Sequence, residues 1–340
     1  FLQLNSVMVG FMVVAPTAQR LSLQCEGIAA DTTTIRSLDW ERSRFDIEFG
    51  LRNGTTYNSF LVRGERTALI DSSHAKFRDS WIPLLKDQID PSAIDVLIVS
   101  HTEPDHSGLI GDLIDLNPEI EIVGSKVAIQ FLQDQVHRPF RSRAVKSGEE
   151  LDLGTNPESG VQHRFEFLSA PNLHWPDTIF SFDHGTGILY TCDAFGLHYC
   201  SEELFDSDPG AIAPDFRFYY DCLMGPNARS VLQALKRMDS LPEINTVAVG
   251  HGPLLRHHLS HWLNDYREWS GQRSKGESFA AVCYLSQYGF SDRISQAIAH
   301  GIGKADAQVQ LVDLRATDPQ ELTALVGEAK AVVVPTWPEE

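Results

Sequence analysis

The sequence predicts a layered α/β protein built from two unequal units, and three observations predict it. From Arg20 to Gly271, short apolar strand-like runs alternate with helix-period segments. A polar stretch, Gly271–Ser278 (GQRSKGES), then has the composition of a linker. Beyond it the pattern is strand, helix, strand, helix, strand, the grammar of a parallel sheet. The 340 residues exceed the ~150 of a typical domain, which accords with two units, expected over 20–271 and 278–340.

Each element follows from local pattern. TYNSFLVRGERTALIDSS reads as a hairpin, with Gly64 in the turn between Tyr57–Val62 and Thr67–Ile70. A helix is expected over about Lys76–Lys86. Pro91 precedes Asp95–Ser100 (DVLIVS), whose unbroken apolar run marks a strand buried on both faces. SGLIGDLIDL predicts a short helix stopped at Asn117-Pro118, EIEIVGS a strand and KVAIQFLQDQV a helix. RFEFLSA, DTIFSFD and GILYTCD are strand-like, the last two joined across His184-Gly185-Thr186-Gly187. NARSVLQALKRMDSL returns to helical period, INTVAVG is a strand ending at His251, and a helix over about His257–Ser270 closes the first unit. The second unit holds FAAVCYLS, a helix from Asp292, QVQLVDL, a helix from Pro319 and AVVVPT. These make three strands of a doubly wound sheet with an exposed edge expected at Val332–Val334.

Composition excludes several classes. Forty-six acidic against 28 basic residues give a net charge of −18, with no basic run long enough to track nucleic-acid phosphates. The five cysteines, at 25, 192, 200, 222 and 283, form no CxxC pair and no disulfide rhythm, which fits a reducing cytoplasm. No apolar run reaches the ~20 residues needed to span a bilayer. The most apolar, Val7–Ala15, sits in an opening that superficially resembles a leader but lacks a basic start, and an untidy leader or fragment end is expected there.

The strongest chemical signal is His101-Thr-Glu103-Pro-Asp105-His106, directly after a buried strand. Four metal-capable side chains within six residues at a strand-to-helix turn can converge on one cleft. His174 in PNLHWPDT, Asp193 in YTCDAFG and His251 in VAVGHG each follow or close a strand-like run, so each emerges at a sheet edge. Together with the tetrad they suffice for two metal sites. Four imidazoles and three carboxylates form a mixed N/O set that suits iron better than an iron–sulfur or structural zinc site. A second signal, Ser286-Gln287-Tyr288-Gly289-Phe290-Ser291, lies where a strand opens into a helix. It offers hydroxyls, a glycine and free N–H groups to a phosphate.

These residues resemble the flavodiiron proteins, within the metallo-β-lactamase-like fold. The common hydrolase motif has a second histidine where this chain has Glu103, so HxExDH points to flavodiiron. SLDWERSRFDIEFGLRNGTTYNSFLV, SHTEPDHSGLIGDL, APNLHWPDTIFSFD and CDAFGLHYCSE are similar to the cyanobacterial group, the diflavin flavoprotein A proteins. The resemblance implies a metallo-β-lactamase-like αββα sandwich followed by an incomplete flavodoxin-like doubly wound α/β domain. It implies that His101, Glu103 and His174 hold one non-haem iron, that Asp105, His106 and His251 hold the other, and that Asp193 bridges them. It implies FMN at Ser286–Ser291, in a pocket that the three strands present build only in part. It further implies O2 reduction to water, with NO reduction as the related activity. Electrons would come from NAD(P)H through a reductase domain, and subunits would pair head to tail as a homo- or hetero-dimer.

Other residues are expected to be structural. His257, His258 and His261 read as surface or packing histidines on one helix, His74 as a helix-start residue, and Cys192 and Cys200 as buried packing. His198 and Tyr199 are near enough to Asp193 to reach the surroundings of a bound metal, though packing is the stronger expectation. Gly301-Ile-Gly303 reads as a helix C-cap and not a dinucleotide motif. Two rival functions stand beside the reductase: a two-zinc hydrolase using a metal-bound hydroxide, and a non-catalytic subunit or fragment.

Overall fold

The computed structural model describes residues 20–45, 49–274, 279–285, 290–305, 307–315, 317 and 319–334. The first unit opens with strands β1 (Leu21–Ala29), β2 (Thr32–Asp39), a two-stranded ribbon β3 (Arg44–Phe45) and β4 (Phe49–Gly50), then β5 (Thr55–Arg63) and β6 (Thr67–Ile70). Helix α1 (Arg78–Gln88) and β7 (Val96–Val99) follow, then the one-turn helix α2 (Pro104–Ser107), α3 (Ile110–Leu116), β8 (Glu121–Gly124), α4 (Lys126–Val136) and β9 (Arg141–Ala144). The chain continues through β10 (Glu150–Thr155), β11 (Gln162–Ser169), β12 (Ile179–Asp183), β13 (Ile188–Cys192), α5 (Pro209–Tyr219), α6 (Ala228–Met238), β14 (Thr246–Val249) and α7 (Leu259–Ser274). The second unit comprises β15 (Phe279–Tyr284), α8 (Phe290–Lys304), β16 (Gln308–Asp313), α9 (Pro319–Glu328) and β17 (Ala331–Val333).

Two sheets form the first unit, one in the order β1-β2-β5-β6-β7-β8-β9 and one in the order β10-β11-β12-β13-β14. Strand alternation sorts their side chains between two cores. Phe60, Val62, Ala68, Ile70, Val96 and Ile98 face the second sheet and meet Phe165, Phe167 and Leu189. Their chain neighbours Leu61, Leu69, Leu97 and Val99 point the other way, onto Trp81 and Leu85 of α1, Leu113 of α3 and Leu132 of α4. Val231, Leu235, Trp262 and Tyr266 from α6 and α7 join the core of the second sheet. The result is a four-layer αββα sandwich.

The second unit is a parallel sheet in the order β16-β15-β17. This 2-1-3 order is how a flavodoxin-like doubly wound sheet begins. Ala281 and Cys283 of β15 pack with Leu325 of α9, while Val282 and Tyr284 pack with Ala299 of α8, so the two helices cover opposite faces. On edge strand β17 and just past it, Val332 is 45% and Val334 52% exposed. The units touch where the Arg229 guanidinium lies 4.3 Å from the centre of the Phe279 ring and Arg229 Nη1 sits 2.7 Å from Glu328 Oε2.

Some expectations shift. Helix α7 runs on to Ser274, so the first four residues of the expected linker are helical. The helix starts at Leu259, leaving His257 and His258 ahead of it, where their backbone N–H groups donate to the Asp206 carboxylate. Asp206 also accepts from Trp262 Nε1, which fixes the entry into α7 at a position helical period cannot reveal. Gly301 and Gly303 lie inside the last turn of α8, which ends at Lys304, rather than capping it. Helix α5 goes unpredicted because Pro209 and Pro214 read as breakers. Pro209 sits at the tolerated first position, and the Asp208 side chain accepts from Ala211 N. The opening stretch with Val7–Ala15 lies outside the described residues.

Candidate metal centre

Strand ends assemble the centre. His101 follows the buried strand β7, and Glu103, Asp105 and His106 ride on the turn into α2. His174 comes from the β11–β12 loop, Asp193 directly follows β13, and His251 lies just past β14. The structure brings all seven together. Asp193 lies at the middle: its Oδ2 is 3.3 Å from His101 Nε2 and 3.4 Å from His174 Nε2. Its Oδ1 is 3.0 Å from His106 Nε2 and 3.2 Å from His251 Nε2. Glu103 Oε2 joins the first pair, 3.3 Å from His101 and 3.0 Å from His174. Asp105 joins the second, its Oδ2 3.4 Å from His251 Nε2. The ligand-capable atoms therefore sort into two adjacent groups that share the Asp193 carboxylate.

The electrostatics are those of a cation-seeking cage. Burial alone would lower the His174 and His251 imidazoles, but the facing Asp193 carboxylate, with Glu103 and Asp105 respectively, pushes both up to about 10. Burial would raise Asp105, yet the facing His106 and His251 hold it well below the usual carboxylate range. Asp193 Oδ2 and Asp105 Oδ1 are buried with no hydrogen-bond partner. Buried orphan carboxylate oxygens beside four imidazoles fit a pair of cations and little else.

A surrounding layer orients the imidazoles. His101 Nδ1 lies 2.9 Å from Asp177 Oδ1, and the other Asp177 oxygen accepts from Thr102 N and Oγ1 at 2.7 and 2.6 Å. His251 Nδ1 is 2.6 Å from the Thr56 carbonyl, which leaves Nε2 pointing inward. The loop of His251 is strapped to β5: Asn58 Nδ2 donates to the carbonyls of Val249 and Gly252, both at 2.9 Å. Gly250 must be glycine, since a Cβ there would stand 2.7 Å from His106 Cε1.

Sequence pattern missed Asp177, Asn58 and Gly250. The only available signal was for Asp177, an acid three residues after His174 in a Trp-Pro turn. His198, expected to pack, faces the centre: its Nδ1 is 2.8 Å from Thr55 Oγ1, its ring 4.7 Å from that of His251, and its buried Nε2 lacks a partner. With His74, Tyr57 and Phe45 it walls a cleft of about 260 Å³ above Glu103 and Asp105. His74 also accepts from Lys76 N at the start of a short 3-10 helix, as its helix-start reading expects. Tyr199, half-buried, packs against the core instead. The expected FMN residues Ser286, Gln287, Tyr288 and Gly289 lie outside the described residues; Phe290 opens α8 and Ser291 is buried in its first turn.

This αββα sandwich, with ligand-capable side chains at its strand ends, is a metallo-β-lactamase-like domain. Residues 55–252 match the family model described as ODP family beta lactamase. The chain is 58% identical over 324 residues to diflavin flavoprotein A 1 of Synechocystis sp., covering 95% of this chain and 56% of that protein. It is 59% identical over 319 residues to putative diflavin flavoprotein A 3 of Nostoc sp., covering 94% and 54%. A metal-soaked Flv1 flavodiiron core from Synechocystis sp. superposes with a TM-score of 0.81 at 31% identity, covering 94% of this chain and 78% of that one. The chain belongs to the flavodiiron family of oxidoreductases. It spans about half the length of the curated relatives it matches.

Proposed function

We propose that the chain is the metal-bearing part of a flavodiiron reductase that passes electrons from FMN, and ultimately NAD(P)H, to two non-haem irons and reduces O2 to water. His101, Glu103 and His174 would hold one iron, Asp105, His106 and His251 the other, and Asp193 both. The division of the two Asp193 oxygens between the two histidine pairs carries this reading. The donor chemistry supports it: nitrogen and carboxylate ligands suit iron, and three carboxylates favour its ferric state. Two irons held by these residues would supply the electrons for reducing a small diatomic molecule. NO is the alternative substrate of the same cleft. FMN is the flavin that the relatives' names and the strand-to-helix opening at Phe290 favour. A head-to-tail dimer would bring a partner's flavin to this centre.

The chain's own part is positioning. Asp177 and the Thr56 carbonyl hold His101 and His251 by Nδ1, so that Nε2 of each faces the shared carboxylate. Phe45 and Tyr57 narrow the cleft against bulk water, and His198 presents a buried nitrogen there. Among the described residues no helix is long and apolar enough to cross a membrane; we place the protein in the cytoplasm because its five cysteines form no CxxC pair and no disulfide rhythm.

The test is iron analysis combined with gas consumption. Purified protein reconstituted with ferrous iron should hold about two irons per chain, and should consume O2 when supplied with reduced FMN. Consumption of neither O2 nor NO would overturn the proposal. Two zincs with ester or phosphodiester turnover would establish the hydrolase instead.

A further inference from the structure

Cys192, the last residue of β13, is drawn to the metal centre by a defect in the sheet. The β13–β14 pairing runs Tyr190 to Ala248 and then Cys192 to Val249, so two steps on β13 oppose one on β14. Such a bulge re-aims the side chains that follow it, and here the backbone enters the left-handed region at Cys192, with φ 52. The thiol is carried inward: Cys192 is 2% exposed. Its sulfur and one ligand-capable atom each of His106 and Asp193 all lie within 4.8 Å of one another. Two polar atoms of this trio, Asp193 Oδ2 and His106 Nδ1, are buried without a hydrogen-bond partner. No other cysteine joins such a group among the described residues.

We propose that Cys192, His106 and Asp193 form a second ligand set at this centre, one that takes a thiophilic divalent ion, zinc above all. The set overlaps the proposed iron position through His106 and Asp193 but does not depend on that assignment, because the sulfur is the new ligand. Imidazole, carboxylate and thiolate together are a zinc set, and zinc binds such donors more tightly than ferrous iron does. Capture exchanges a proton for a bond: the Cys192 S–H loses its proton to solvent, the sulfur donates its electron pair to the metal, and no electron is transferred. Zinc does not change oxidation state. On the diiron reading, a zinc ion held here silences a centre that works by redox change, and Cys192 makes the protein zinc-inhibited.

Cobalt reports the sulfur directly. Metal-free protein titrated with Co2+ should develop a near-ultraviolet thiolate-to-cobalt charge-transfer band alongside the visible d–d bands, and Cys192→Ser should lose the former while keeping the latter. Zinc affinity should fall by at least about 10- to 100-fold in Cys192→Ser, the effect of losing a group that merely supports a ligand being the lower bound, with ferrous affinity changed less. A variant with Cys25, Cys200, Cys222 and Cys283 all replaced by Ser should keep the band, which preserves the test if Cys192→Ser does not fold. Cobalt binding without a thiolate band, no cobalt binding at all, or a band that survives in Cys192→Ser overturns the proposal. Iron loading of the same preparation separates the two readings: two irons with no thiolate band refute only the zinc set, and a thiolate band with no iron refutes only the diiron reading.

Discussion

The Asp177 carboxylate holds the first two residues of the metal motif, with Oδ1 2.9 Å from His101 Nδ1 and Oδ2 taking the Thr102 N–H and hydroxyl. All three residues are fully buried. One charged side chain from the β11–β12 loop thus sets the tautomer of a histidine on the opposite sheet. In Asp177→Asn the charge is gone and one amide face can only donate. Metal affinity at the position shared by His101, Glu103 and His174 should drop about 10- to 100-fold. Titration with a metal-sensitive dye would read this as one site lost and one kept; two unchanged sites would refute it.

Gly250 is a steric requirement of the second position. In Gly250→Ala the new methyl meets the His106 ring at 2.7 Å, and the backbone of Cys192 leaves it nowhere to go. The variant should fold but bind about half the metal of the parent, since His106 must move away from Asp193 Oδ1. Elemental analysis decides the matter, and full loading would show that the loop yields instead.

Asn58 straps the His251 loop to β5. Asn58→Ala removes the amide donor from two buried carbonyls, those of Val249 and Gly252, of which the Gly252 carbonyl keeps Arg36 Nη2 and Thr56 Oγ1 within reach. Leaving buried polar groups unpaired costs about 1–3 kcal/mol each, so the urea midpoint of the metal-free protein should fall clearly. An unchanged midpoint would mean that water or Arg36 replaces the amide; Arg36 Nη2 already lies 3.5 Å from the Gly252 carbonyl.

Away from the centre, His163 predicts a pH dependence of stability. Burial opposes its protonation, but Asp183 at 2.8 Å and Asp31 at 3.3 Å outweigh this and raise it above its ordinary value. A raised folded-state pKa favours the folded form of the protonated protein. The stabilisation is full below about 6.5, the unfolded value, and fades as pH rises through the folded one. His163→Gln should therefore cost most stability in acid and least in alkali. Urea unfolding at a series of pH values checks it, and parallel wild-type and variant curves would contradict the sign.

Chelation gives a fifth measure. A metal bound only to the folded state adds stability by mass action, about 2.7 kcal/mol at a hundredfold excess over the dissociation constant. Removing it should lower the melting temperature of the parent, and should do much less to Asp193→Ala, which lacks the shared carboxylate.

Much of this protein is written locally. The β5–β6 hairpin, the buried strand β7, helices α4 and α6 and the strand–helix alternation of the second unit follow from residue period and turn chemistry, which act over a few neighbours. The tetrad His101, Glu103, Asp105 and His106 is legible for the same reason, being one turn of chain. Helix α5 was hidden by Pro209 and Pro214, whose tolerance depends on where the helix begins.

By itself, then, the sequence determined most of the elements and seven residues fit to hold metal. Only the tertiary structure decided which of them meet. The pairing of Asp193 with His101 and His174 on one oxygen and His106 and His251 on the other spans two sheets. The same holds for Asp177 behind His101 and for the Cys192 thiol beside His106. These relationships join residues 19 to 92 positions apart, and no local periodicity encodes them. They arise when two apolar sheet faces are buried against each other, which brings the ends of strands from both sheets to one edge of the sandwich.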